Sequence, residues 1–277
     1  MNPQLLAALR CPKTYEPLTL EPREFQHGIV WNGVLRNQSG DAWLIRDGMI
    51  DLLDGAAAWN GAQIVNRLPI VAWGYERLWR WNALTLLSGR SLPVREEIAI
   101  MQAHVAPQRQ GIYLDLACSN GLYGRYLAQA TDPETSVVVC LDHSEPMLRE
   151  AQRRAHELGV QIIVMRGLAE NLPFADHSLV GVVCGGSFNE FTNQARVLSE
   201  VRRSLSHDGR SFWMQAQRAP SLRGRMLQAM LSPGGVSFPS GDELKRSLTA
   251  AGLHVSFDQR DGAVQMIATR GQVITPQ

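Results

Sequence analysis

Hydrophobic periodicity divides the chain into three zones. From Gly111 onward, short apolar runs of strand length alternate with longer stretches in which apolar residues return every three or four positions. A short apolar run or a period of two marks a strand and a period near 3.6 a helix, because these spacings bring side chains onto one face. The pattern predicts strands at Ile112–Ala117, Ser136–Leu141, Gln161–Met165, Leu179–Cys184, Arg210–Gln215, Leu253–Asp258 and Ala263–Thr269. Between them it predicts helices at Gly121–Ala130, Glu145–Leu158, Asn193–Leu205 and Asp242–Ala251, the last opened by Ser240 as N-cap and stopped by Gly252. Such alternation implies an α/β fold, a doubly wound and mostly parallel sheet with helices on both faces. The Asp261-Gly262 pair turns the last two strands into a hairpin and makes one edge antiparallel.

The other two zones have a different texture. Met1–Asp54 carries short alternating segments with turn signals at Cys11-Pro12, Asn32-Gly33, Ser39-Gly40 and Asp47-Gly48, which predicts a small β-rich module with Asn32-Gly33 as a hairpin turn. Residues 55–105 read as helical, from the spacing of Trp73, Tyr75, Leu78 and Trp79 and from a second helix at Arg95–His104. Six of the seven tryptophans, all but Trp213, precede residue 82. They serve either to pack the small module onto the large one or as a helical lid over an apolar substrate, since aromatic rings supply large area with a polar handle. The expected organisation is therefore 1–54, 55–105 and 106–277.

Composition narrows the function classes. With 277 residues, 45% hydrophobic and 19% charged, the chain has the balance of a globular protein. No apolar run reaches the roughly 18 residues of a membrane span. Met1–Arg10 lacks the pattern of a secretion signal, so the cytoplasm is the expected location. A net charge of +1 gives no broad attraction to nucleic acid or to an anionic membrane. Nearly all cations are arginine, Lys13 and Lys245 being the only lysines, which reads as compositional bias. Cys11, Cys118, Cys140 and Cys184 form no C-x-x-C pair and are expected to be free and reduced.

Ligands of a doubly wound sheet bind at the carboxyl ends of its strands, near the point where strand order reverses. The first strand of that sheet runs out through Asp115, Ala117, Cys118, Ser119 and Asn120 to Gly121. Small residues at 117, 119 and 121 let backbone approach a ligand closely, although tight strand–helix turns need them in any fold. The second strand ends 27 residues after Asp115, at Asp142. A carboxylate there can accept hydrogen bonds from both hydroxyls of a ribose, or it can cap the helix that starts near Ser144 and Glu145.

Four segments in order, YLDLACSNGLYGRYLA, VVVCLDHSEPMLREAQRRA, MRGLAENLPFADHSLVGVVCGG and EVRRSLSHDGRSFW, resemble the successive motifs of class I S-adenosylmethionine-dependent methyltransferases over about residues 111–270. The LPF stretch followed by an acid and a serine is similar to the small-molecule branch that includes the ubiquinone and menaquinone methyltransferases. The resemblance implies a Rossmann-like, seven-stranded sheet that binds S-adenosylmethionine and releases S-adenosylhomocysteine. It implies that Asp115 sits near the methionine amino group and that Ala117, Ser119 and Gly121 line the turn beneath the cofactor. Asp142 would bind the ribose, His143 would pack on the adenine, and Leu168 and Ala169 would border its edge. Cys184, with Gly185, would lie near the reactive methyl. The family usually has glycine where Ala117 and Ser119 stand, so a shifted site is expected. It usually has an acid where Leu168 stands, and another at Val180.

LRCPKTYEPL and GVLRNQSGDAWLIRDGMIDLL resemble a zinc-ribbon-like module that precedes some methyltransferases, and YERLWR resembles a group of uncharacterised methyltransferases from plants and photosynthetic bacteria with the same two-part layout. Only Cys11 of the ligand set remains and Thr14 holds the second ligand position, so the module is expected to be degenerate and to bind no metal.

Methyl transfer is an in-line displacement in which the protein mainly positions the acceptor and excludes water. A base is needed only if the acceptor must lose a proton. Glu190 and Asn189, just past the fourth strand, are the catalytic candidates, and Glu190 reads equally as a helix-start carboxylate. Arg218, Arg223 and Arg225 follow the fifth strand and are either a solvated face or a site for an acidic substrate. The expected partner is a small, partly apolar acceptor such as a quinone, phenol or lipid-like metabolite. The charge balance speaks against nucleic acid, and the sequence says nothing of oligomeric state. A ribosomal-RNA base methyltransferase and a catalytically inactive binding protein on the same fold remain as alternatives.

Overall fold

A computed structural model describes residues 1–26, 28–53, 93–231 and 238–271. In chain order the elements are α1 (Pro3–Ala8), β1 (Thr19–Gln26), β2 (Ile29–Arg36), β3 (Ala42–Arg46), β4 (Met49–Asp51), α2 (Val94–Val105), β5 (Gly111–Leu116), α3 (Leu122–Ala130), β6 (Ser136–Asp142), α4 (Glu145–Glu157), β7 (Ile163–Arg166) and β8 (Leu179–Gly185). A 3-10 turn (Phe188–Glu190) follows, then α5 (Gln194–Ser204), β9 (Leu205–Ala216), α6 (Leu222–Leu231), α7 (Gly241–Ala250), β10 (His254–Asp261) and β11 (Val264–Arg270). The tryptophan-rich stretch expected as a lid, with Trp59, Trp73, Trp79 and Trp81, lies outside the described residues.

All the strands among the described residues form one sheet, in the order β1-β2-β3-β4-β7-β6-β5-β8-β9-β11-β10. The resemblance led to an expected sheet of seven strands; the sheet formed by the described residues has 11. The four N-terminal strands extend it because β4 pairs parallel with β7, Met49 to Asp51 against Val164 to Arg166. Antiparallel strands therefore flank both edges: β11 and β10 at one, β3, β2 and β1 at the other.

Strand periodicity explains the layers. On β5, Ile112, Leu114 and Leu116 join the core covered by α1, α5 and α7, while Tyr113 faces α2 and α3. On β6, Val137, Val139 and Leu141 share the first core, and Val138 and Cys140 point to the face covered by α2, α3 and α4. Every residue of both strands is buried, as period-two side chains must be when helices cover each face.

Asn32-Gly33 is not a turn. Both residues lie inside β2, and the chain reverses between Gln26 and Ile29, with Gly28 at φ 76°. Gly33 is needed for a close approach instead: a Cβ there would stand 3.0 Å from the Glu21 carbonyl oxygen, beside the irregular pairing of Pro22, Glu24 and Phe25. Glycine inside a strand commonly marks such a bulge. Asn32 bonds sideways, accepting from the Asp47 amide at 3.2 Å and donating to Glu24. The strand expected at Arg210–Gln215 starts earlier: β9 begins at Leu205, directly after α5 and paired with Leu179.

Side chains of the first hairpins cluster where the resemblance put a degenerate ligand set. The buried Cys11 Sγ lies 3.8 Å from Asp41 Oδ2, and the Asn37 amide donates to Asp41 at 2.9 Å and to Thr14 Oγ1 at 3.1 Å. Loops 11–16 and 37–41 are thus joined by hydrogen bonds.

The N-terminal strands also meet the helical layer. Glu200, buried on α5, accepts from the Tyr15 hydroxyl at 2.8 Å, the Leu172 amide at 3.0 Å and Arg203 at 2.9 Å. Removing one member of a buried charged network leaves its partners unsatisfied. Glu200→Ala is expected to destabilise the protein by about 3 kcal/mol, read as a lower urea midpoint with unchanged slope, whereas Arg196→Ala, at the exposed rim, changes it by less than about 1 kcal/mol.

Candidate functional site

Buried carboxylates stand at the carboxyl ends of β5 and β6, beside the end of β8, where strand order reverses: β6 and β7 lie to one side of β5, β8 and β9 to the other. Between β5 and α3 the chain takes three left-handed steps, Ala117 at φ 51°, Ser119 at φ 51° and Gly121 at φ 72°. Ala117 and Ser119 adopt the conformation that glycine would favour, at a cost of roughly 1–2 kcal/mol per residue. The altered residues therefore leave the backbone path of a glycine-type loop in place. Gly121, which caps α3, has no such latitude, because a Cβ would come within 2.9 Å of the Ala151 Cβ.

Two buried carboxylates hold this loop. Asp115 accepts the Gly124 amide at 2.7 Å and so fixes the first turn of α3. Asp142 accepts the Ser119 amide through Oδ2 and the Ser144 amide through Oδ1, both at 2.8 Å. The N-cap of the following helix is Ser144, so Asp142 does not cap that helix itself; it holds the Ser144 amide just before it and clamps the loop opposite. A carboxylate has about four acceptor positions, so these two amides leave capacity for hydroxyl donors. His143 Nδ1 lies 3.4 Å from Asp142 Oδ1, and the His143 carbonyl accepts from Arg166. Gly167, whose amide bonds the Asp142 carbonyl at 3.0 Å, brings Leu168 and the buried Ala169 alongside.

The third wall comes from β8. Cys184 is fully buried, and burial, followed by the negative charge of Asp115, pushes its thiol up, so it is an apolar wall residue rather than a nucleophile. Gly185 lies against the Tyr123 ring, where a Cβ would stand 2.8 Å from Cε2. Ser187 donates to the Ala117 carbonyl at 3.2 Å, tying this strand end to the loop. Asn189 is buried and donates to the Ala216 carbonyl at 2.6 Å, which fixes the 3-10 turn against β9. Glu190 keeps part of its surface open, yet burial, then the charge of Asp142, raises its pKa to about 7. The residues named from sequence thus converge on one edge, although 75 positions separate Asp115 from Glu190.

Sequence reasoning missed three contributors. Ser187 gave no signal, being one more hydroxyl in a loop. Tyr123 and Glu97 are both buried, and the phenol donates to the Glu97 carboxylate. Glu97 was legible in principle: it lies four residues before Met101 and eight before Val105, so it is an acid on the apolar stripe of α2. Arg218 and Arg225, beyond β9, are exposed.

This donor set fits an adenosyl-type cofactor. Buried carboxylates at the ends of β5 and β6 suit an ammonium group and a pair of hydroxyls, and small residues at 117, 119 and 121 leave room beside the loop. No group of three or more metal-ligating side chains occurs among the described residues.

Residues 114–209 match the family described as a methyltransferase domain. An uncharacterised chloroplast methyltransferase of Arabidopsis thaliana is 26% identical over 267 residues, 88% of this chain and 72% of that protein. A demethylmenaquinone methyltransferase of Thermus thermophilus is 26% identical over 192 residues, 61% of this chain and 85% of that protein. Among solved structures, geranyl diphosphate C-methyltransferase from Streptomyces coelicolor, in complex with S-adenosyl-L-homocysteine, superimposes with a TM-score of 0.55 at 15% identity, over 64% of this chain and 75% of that one. That last likeness is one of fold. The chain carries a methyltransferase domain on a class I fold and is an enzyme.

Two outcomes test this geometry. Ala117→Gly is expected to leave the thermal midpoint unchanged or to raise it, because relief of left-handed strain offsets the entropy of glycine. Gly121→Ala is expected to destabilise by about 2 kcal/mol or more, from strain and the clash with Ala151. Glu190 gives a pH signature. Its folded pKa lies above the unfolded value, so the native state binds more protons between about pH 4.5 and 7 and loses stability as pH rises through that window. The loss is roughly 3 kcal/mol at most. Glu190→Gln should flatten the fall in thermal midpoint between those pH values.

Proposed function

We propose that the protein transfers a methyl group from S-adenosylmethionine to a small, partly apolar and weakly acidic acceptor, a phenol, quinol or lipid-like metabolite. The observation that carries this reading is the Asp142 carboxylate, which bridges the Ser119 and Ser144 amides at the carboxyl edge of the sheet. When bound, the cofactor supplies an electrophilic methyl on a sulfonium. Asp142 would hold the ribose hydroxyls and Asp115 the methionine amino group. Ala117, Ser119 and Gly121 would line the turn, His143, Leu168 and Ala169 would border the adenine, and Cys184 would close the wall near the methionine end. Leu168 offers no side-chain acceptor, so any polar contact to the adenine amino group falls to the backbone.

Glu190 would act as the base that takes the acceptor's proton, and Asn189, fixed to the Ala216 carbonyl, would position the turn that carries it. A base that titrates near 7 is half ionised at neutral pH and suited to accepting that proton. The relative from Thermus thermophilus is a demethylmenaquinone methyltransferase, in keeping with this substrate class. The loop also favours an active enzyme over an inactive scaffold, since Ala117 and Ser119 keep left-handed backbone at the usual glycine positions.

Calorimetric titration with S-adenosylhomocysteine tests the cofactor half. Micromolar binding is expected in the intact protein, weakened about 100-fold or more in Asp142→Ala and less in Asp142→Asn, which keeps one acceptor. No binding by the intact protein would overturn this reading. With a phenolic acceptor, the rate should rise with pH to a plateau above about 7, and Glu190→Gln should lower the maximal rate about 100-fold or more and abolish that rise.

A further inference from the structure

Helix α6 has one face that stands exposed among the described residues. Its inner side is pinned to the end of β9 by the buried Gln228, whose amide donates to the Gln217 carbonyl at 2.8 Å and accepts from the Ala219 amide at 2.9 Å. Its N-terminus is capped by Ser221, which accepts the Gly224 amide at 3.1 Å. Leu222, Arg225, Met226 and Ala229 are all exposed, at i, i+3, i+4 and i+7, and so form one outward stripe. Leu222 is 68% exposed and Met226 64%, more than any other large apolar side chain among the described residues.

The charge around this stripe is one-sided. No acidic residue occurs between Asp208 and Asp242, whereas Arg218, Arg223 and Arg225 all fall there. The whole-chain charge of +1 conceals this local excess. Exposed aliphatic residues beside arginines on a helix are the composition of an interfacial helix, which sinks its apolar side chains between lipids and sets its cations against anionic headgroups. Nucleic acid would match the arginines but gains nothing from Leu222 and Met226, since single-stranded bases stack on aromatic rings and the described part of the stripe has none.

We propose that the outward face of α6 docks the protein reversibly on an anionic lipid surface, with Leu222 and Met226 entering the interface and Arg225 meeting the headgroups. The docking needs neither cofactor nor acceptor, so it stands or falls apart from the catalytic reading.

Flotation of the full chain with vesicles tests it. Binding is expected to phosphatidylcholine vesicles containing phosphatidylglycerol, with little binding to phosphatidylcholine alone and release by salt. Leu222→Ser with Met226→Ser should weaken partitioning by roughly tenfold or more, and Arg225→Gln by about fivefold. Both side chains of the double variant are exposed, so its thermal midpoint and S-adenosylhomocysteine binding should match the parent and exclude misfolding as the cause. The proposal is overturned if the intact chain does not float with anionic vesicles, or if the double variant floats as well as the parent. It is equally overturned if the stripe proves to join two copies, seen as a doubled mass in solution that the double variant reduces to one chain, or if the chain retains RNA but not vesicles.

Discussion

Helices cover both faces of the central strands, and this constraint decides where chemistry can occur. Every residue of β5 and β6 is buried, so the strand interiors admit apolar side chains and polar groups only where they find partners, as the Tyr113 hydroxyl does on the Ala106 and Arg109 carbonyls. Ionisable groups are driven to the carboxyl edge, and three of them arrive there: Asp115, Asp142 and Glu190. Their repulsion shows where the charge of Asp142 adds to burial in raising Glu190, and the charge of Asp115 acts in the same way on the neighbouring Cys184 thiol. Backbone amides of Gly124, Ser119 and Ser144 offset that repulsion for the two aspartates. Each such amide belongs to a loop or a helix start, so the carboxylates that form the edge also hold its shape.

The N-terminal strands are bound to this architecture by the sheet itself. Parallel pairing of β4 with β7 continues the hydrogen-bond ladder past the edge that a seven-stranded sheet would have. The Asp51–Arg166 ion pair at 3.1 Å lies on that seam, and the Leu9–Phe174 bridge and the buried Glu200 network tie the N-terminal segment to the rest of the chain elsewhere. The LPF stretch, read from sequence as a family motif, also fastens α1 to the sheet. Its Pro173 carbonyl accepts the Arg10 amide at 2.9 Å, and the following Ala175 amide donates to the Ala8 carbonyl at 2.8 Å. Arg166 reaches Asp51 on β4 and the His143 carbonyl beside Asp142, which links the N-terminal strands to the edge.

Most of the strand–helix alternation was legible because burial on both faces writes itself into the sequence as apolar runs. The left-handed loop was legible through its small residues, and Asp142 through its distance from Asp115. Sheet width was not legible. A three-residue strand such as β4 carries no period, and its partner is 115 positions away, as between Asp51 and Arg166. Asn32-Gly33 misled because its composition matches a tight turn equally well as a bulge, and only the approach of the neighbouring strand decides between them. The bridge that Asp142 makes was hidden for a related reason: a sequence shows one carboxylate near a helix start, and only the folded loop brings the Ser119 amide to it beside that of Ser144.

On the proposed reading, the raised pKa of Glu190 also selects the acceptor. A phenol titrates near 10 and an ordinary glutamate near 4.3, so full proton transfer between them is uphill by roughly 8 kcal/mol. With Glu190 at about 7 the gap is about three units, or roughly 4 kcal/mol. That deficit shrinks further if the proton moves while the new bond forms. The same edge disfavours an acceptor that is already anionic near the methyl, because Asp142, Asp115 and an ionised Glu190 surround the place it would occupy. An acceptor that enters neutral and loses its proton only on reaction avoids this repulsion. Neutral, partly apolar molecules of that kind partition into lipid, and a helix able to rest on an anionic surface beside the end of β9 would put the enzyme where they accumulate.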